Sequence, residues 1–149
     1  MAFLNLFTAW PLVMAALIVT TQIGRLFMGP DYQIEAHQSI ELLQMYDSVF
    51  LKILICIVAV VLAPIVEELI FRGLFQSYIL SQWRNKWLAV AASSSLFAII
   101  HANASHWFVI FFLGTCLGYA YEKSGSIVRS ILIHSLFNGM SIVSVLTCI

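Results

Sequence analysis

Charge is what this chain has least of. Asp, Glu, Lys and Arg together make up 9% of its 149 residues, where a water-soluble domain carries about a quarter. With 62% hydrophobic residues and a mean hydropathy of +0.98, an ordinary soluble domain is excluded. Seven Lys plus Arg offset seven Asp plus Glu. No basic excess is left to hold nucleic acid by counterion release, and that class of partner is discarded. Paired cysteines are absent too: Cys56, Cys116 and Cys148 stand apart inside apolar runs with no CxxC. That pattern suits small buried hydrophobes better than a zinc knuckle or disulfide framework.

What the chain does have is long apolar runs. A membrane span needs about 20 mostly apolar residues, and about five such runs can be laid along the sequence: 3–28, 49–72 or beyond, 87–104, 107–121 and 127–149. The expected fold is all-α, a polytopic transmembrane helical bundle with about five membrane helices and no soluble domain. The first run has no Lys or Arg before Arg25 and exceeds a signal-peptide core, so it is expected to be a retained helix. Residues 29–48 break the hydropathy with Asp31, Glu35, His37, Glu41 and Asp47. The chain therefore divides into 1–48, a membrane helix plus a polar external loop, and 49–149, a helical core. Within the loop, "IEAHQSIELLQMY" suits an amphipathic helix on the membrane surface.

The remaining connections, at 81–87, 103–107 and 121–126, are short enough to make their helices antiparallel neighbours. Trp83, Trp87, Trp107, Tyr119 and Tyr121 fall at the span edges, where amphipathic rings prefer the headgroups. Arg84 and Lys86 mark one connection, and Lys123 and Arg129 another two helices later. By the positive-inside rule that face is cytoplasmic, the N-terminus with it, and the 29–48 loop lies outside. Gly114 and Gly118 form a GxxxG, which marks close helix packing more often than a ligand.

Against this background "VLAPIVEELIFRGLF" at 61–75 stands out, because Glu67, Glu68 and Arg72 interrupt an apolar run. Each charge at mid-span costs roughly 2.5–3.5 kcal/mol on insertion scales. Glu68 and Arg72 are i,i+4 neighbours able to neutralise one another, whereas Glu67 is turned about 100° away and has no local partner. Pro64 removes a helix hydrogen bond just upstream. His101 follows Phe97 by one turn in "FAIIH", and His134 precedes Asn138 by one turn in "HSLFN". At 1.5 Å per residue, Glu67 and His101 lie roughly 20 Å from the cytoplasmic connections and His134 about 10–13 Å, so a tilted bundle brings them together. His106, beside Trp107, and His37 are expected to be solvated. Ser94 lies about two turns from His101, too far for a nucleophile and its base. HExxH, GxGD and GxSG do not occur.

One carboxylate, two imidazoles and an amide in a membrane cavity suit hydrolysis of a peptide bond. Glu67 takes a proton from water that His101 helps to hold, and His134 and Asn138 stabilise the oxyanion. The same Glu67, His101 and His134 could instead hold a divalent metal such as Zn with an open water position. Sequence leaves both open.

EExxxR at Glu67, Glu68 and Arg72, FxxxH at Phe97 and His101, and HxxxN at His134 and Asn138 resemble, in this order on successive helices, the CPBP family. Its members are intramembrane CAAX-type prenyl-protein endopeptidases and bacterial relatives linked to bacteriocin processing and self-immunity. The resemblance covers about residues 50–145 and makes 49–149 a CPBP-like catalytic core. It implies that Glu67 is the base, that His101, His134 and Asn138 hold water and oxyanion, and that Glu68, Arg72 and Phe97 are structural support. Members of that family have been described both as metalloproteases and as metal-independent glutamate proteases; the second reading, an endopeptidase that requires no cofactor, is favoured. The substrate would be a peptide or lipidated protein tail reached within the lipid bilayer, with a bacteriocin precursor favoured over a prenylated CAAX tail. The short length points to a bacterial plasma (inner) membrane and leaves oligomerisation open, since most relatives carry further N-terminal helices. The alternatives are a non-catalytic scaffold or bacteriocin-immunity protein of the same fold, and a proton or ion relay, for which the matching broken helices are not visible.

Overall fold

The computed structural model describes residues 11, 15, 18, 19, 21–27, 29–31, 38–101 and 107–147, with the backbone alone at 38–41 and 145–147. Every regular element among these residues is helical. Residues 21–27 form a helical stretch. After it come α1 (Gln38–Met45), α2 (Val49–Trp83), α3 (Lys86–His101), α4 (Trp107–Ser124) and α5 (Ile127–Thr147).

Two of these helices are long and apolar enough to cross a membrane: α2, and α5 over Ile127–Ser144. With 16 and 18 residues, α3 and α4 reach about 24 and 27 Å, just short of a hydrocarbon core of about 30 Å. α2 runs 11 residues beyond 72, within the open-ended run expected there, and is correspondingly longer than one crossing. Most of the expected first span over 3–28, His37 and His106 with their expected solvation, and Cys148 lie outside the described residues.

The connections are tighter than the polar letters suggested. Between α2 and α3 only Arg84 and Asn85 are non-helical. Arg84 takes a left-handed φ of 50°, and the Asn85 side-chain oxygen accepts from Leu88 N–H at 3.1 Å, capping α3. Between α4 and α5 the chain turns at Gly125, whose φ of 63° suits glycine. Its N–H bonds Tyr121 O at 2.8 Å.

Two apolar clusters hold the bundle. Val109, Leu113, Leu117 and Ala120 of α4 meet Ile133 of α5, and Leu43 of α1 meets Ala59 of α2 and Ile142 of α5. The expected amphipathic segment is thus helical over Gln38–Met45, and it docks by Leu43 while Met45 stays exposed. On α2, Val61, Leu62, Val66 and Leu69 point outward. In water such a face would be an aggregation hazard; in a bilayer it meets its own solvent.

Candidate active site

α2 continues through Pro64 because its hydrogen bonding changes there. Val58–Leu62 and Leu69–Gln76 are π-helical, and the short α-helical piece Ala63–Glu68 between them carries both glutamates. The two carboxylates leave α2 in different directions, as expected for adjacent helical positions.

Glu68 is fully buried. Its Oε1 accepts from Arg72 Nη1 at 2.8 Å and from His134 Nδ1–H at 2.9 Å. Arg72 Nη2 donates to Gly114 O at 2.9 Å, and its guanidinium lies over the Phe97 ring, 4.8 Å from the centroid. One turn further along α2, buried Gln76 donates from Nε2 to Gly118 O and to Glu122 Oε1, both at 3.1 Å. Ser77 Oγ meets Tyr121 OH at 3.2 Å. Glu68, Arg72 and Gln76 thus form one polar column that faces α4. Gly114 and Gly118 are the residues that let it in: a Cβ at Gly118 would lie 2.7 Å from Gln76 Oε1, and one at Gly114 3.2 Å from Ser94 Cβ. The GxxxG serves close packing.

Glu67 occupies the other direction. Its side chain is 24% exposed, with Oε1 3.5 Å from His101 Nε2 and Oε2 3.6 Å from His134 Nε2. The Nδ1 of each imidazole is engaged elsewhere. His101 Nδ1–H donates to Phe97 O at 2.8 Å, and His134 Nδ1–H to Glu68. Because a carbonyl and a carboxylate only accept, both rings are held with Nε2 toward Glu67. Phe97 separates the two rings, 4.3 Å from His101 and 5.8 Å from His134 between centroids, with Phe71 edge-on at 4.9 Å. The FxxxH spacing therefore builds a wall as well as an aromatic contact.

The structure brings Glu67, His101 and His134 together around one point, with Glu68, Arg72 and Phe97 behind them. Asn138 stands apart from that contact set: its Nδ2 donates to Ala59 O at 2.9 Å, two turns before Glu67. Ser93 and Ser94 are buried and donate to Phe71 O and Val90 O, as small packing residues do. Sequence reasoning missed Gln76 and Glu122. The signal was present in the first of them, since Gln76 extends the i,i+4 series from Glu68 through Arg72 in an apolar run. The bond from Glu68 to His134 links residues 66 apart and left no local signal. For a metal, two imidazole nitrogens and a carboxylate are the donor types of a zinc hydrolase. Among the described residues, no group of three His, Cys, Asp or Glu already has the arrangement of a metal centre.

A family model described as Type II CAAX prenyl endopeptidase Rce1-like matches residues 49–140, an interval that contains every residue of this site. The chain belongs to this family. The assignment agrees with the CPBP motifs at Glu67, His101 and His134. The Rce1-like chain is also similar to UPF0177 protein YxdF of Lactococcus lactis subsp. lactis (strain IL1403), at 34% identity over 87 residues. That stretch covers 55% of this chain and 46% of the relative, so the match spans about half the length of the curated protein. No solved structure matches the Rce1-like chain.

Proposed function

We propose that the chain is an intramembrane endopeptidase in which Glu67 activates a water molecule to attack a peptide bond. The observation that carries this reading is the partly exposed Glu67 carboxylate set between two imidazole Nε2 atoms, each aimed by a bond at its own Nδ1.

The chemistry follows from the fixed proton on each Nδ1. Neutral His101 presents an Nε2 lone pair, so a water near Glu67 and His101 donates one hydrogen to each and turns its own lone pair toward the scissile carbonyl carbon. Glu67 takes the proton as the C–O bond forms. His134 can donate to the oxyanion only as the imidazolium, since Nδ1–H is already held by Glu68. The second N–H of the Asn138 amide is the other oxyanion donor in this reading. As the intermediate collapses, Glu67 returns its proton to the leaving amine nitrogen. No step requires a metal. The substrate is a peptide or lipidated tail presented at the membrane, and the bundle works in the plasma membrane.

The test is cleavage of a quenched fluorescent peptide library by liposome-reconstituted protein, comparing wild type with Glu67→Gln and with chelated wild type. The mechanism predicts that Glu67→Gln loses about 10²–10⁴-fold or more in rate and that wild type survives chelation. Loss on chelation with recovery on zinc would replace the glutamate mechanism. Absence of cleavage by folded wild type would favour a non-catalytic scaffold or immunity role.

A further inference from the structure

Pro64 stands in the middle of α2, where a proline withholds a donor that the helix would use. The turn before it is π-helical over Val58–Leu62, and Ala63 N–H bonds Val58 O, five residues back. Continued by one residue, this pattern would give Ala59 O the N–H of residue 64, and Pro64 has none. Ala59 O is supplied from another helix: Asn138 Nδ2 of α5 donates to it at 2.9 Å. Ala59 is buried, packed with Leu43 and Ile142, where an unbonded carbonyl is strongly disfavoured.

This bond matters to the site because of what a π turn does to a helix. One extra residue in a turn rotates everything beyond it by about 100° relative to an uninterrupted α-helix. The same angle separates Glu67 from Glu68. α5 packs against both the π turn and the segment carrying the glutamates. The turn therefore sets which glutamate lies open between the histidines and which enters the column with Arg72.

We propose that Asn138 is a positioning residue that holds the π turn open at Ala59, supplying the hydrogen bond Pro64 cannot give, and so fixes the register of Glu67 and Glu68. The role is exerted through α2. It is independent of substrate contact and of whether the site hydrolyses a peptide.

The test is a double-mutant cycle on the full chain in lipid nanodiscs: wild type, Asn138→Ala, Pro64→Ala and the double variant. Two readouts are taken, the thermal unfolding midpoint and the ¹⁵N signal of His134 Nδ1, assigned with His134→Gln. Asn138→Ala is expected to lower the midpoint and shift the His134 signal as the register relaxes. With Ala at 64 a backbone N–H can reach Ala59 O. The midpoint loss from Asn138→Ala should then shrink to less than about half, and the His134 signal should return toward wild type. Equal losses in both backgrounds, or an unmoved His134 signal in Asn138→Ala, would overturn the proposal. If Asn138→Ala alone yields no folded protein, folded double variant supports the proposal and its absence overturns it. Neither readout depends on cleavage, so an inactive wild type leaves the outcome intact.

Discussion

Glu67 and Glu68 are neighbours in sequence, yet one is 24% exposed between two imidazoles and the other is wholly buried against Arg72 and His134. The difference shows how a helical bundle sets an open carboxylate beside a closed one with a single residue step. On one side of α2 the polar groups converge around the partly exposed Glu67 carboxylate. On the other they form a closed column from Glu68 through Arg72 to Gln76, bonded to backbone oxygens of α4. His134 joins the two, with Nδ1 on the closed side and Nε2 on the open one.

If that division is right, the closed side should fail by unfolding. The largest effect is expected from Arg72→Met, which leaves the Glu68 carboxylate buried without its cation. Removing one partner of such a pair costs about 3–5 kcal/mol, to be read as loss of the unfolding transition or of monodisperse protein in detergent. Gly118→Ala should cost less, about 1–3 kcal/mol, because the added Cβ would meet Gln76 Oε1 at 2.7 Å and Val90 Cγ1 at 3.2 Å. Thermal unfolding checks it, and an unchanged midpoint would show that the column has slack. The smallest effect belongs to the outer end. Tyr121→Phe removes the contact with Ser77 Oγ and should cost about 0.5–1.5 kcal/mol without altering cleavage.

Much of this arrangement could be read from the letters, and for physical reasons. Scarcity of charge and runs of apolar residues dictate a helical membrane bundle. Pairing within one helix, as between Glu68 and Arg72, follows from i,i+4 spacing alone. Depth along separate helices allows Glu67, His101 and His134 to meet in a tilted bundle, and the meeting itself depends on that tilt. What the letters could not carry were the contacts between helices and the departures from ideal helix geometry. The Glu68–His134 bond and the Gln76–Glu122 bond depend on how α2, α4 and α5 are rotated. The π turns around Pro64 change that rotation without any signature beyond the proline itself. Asn138 illustrates the limit: HxxxN places it on the face of His134, but only the backbone of α2 reveals that one amide N–H belongs to Ala59.

The central claim, that open and closed glutamates divide catalysis from support, is tested most directly by making Glu67→Gln and Glu68→Gln in parallel. Cleavage and unfolding are then measured on the same reconstituted samples. The account predicts that Glu67→Gln keeps the wild-type midpoint and loses cleavage, while Glu68→Gln loses midpoint because Arg72 is left buried without its counter-charge. A Glu67→Gln protein that cleaves like wild type, or a Glu68→Gln protein as stable as wild type, would contradict it.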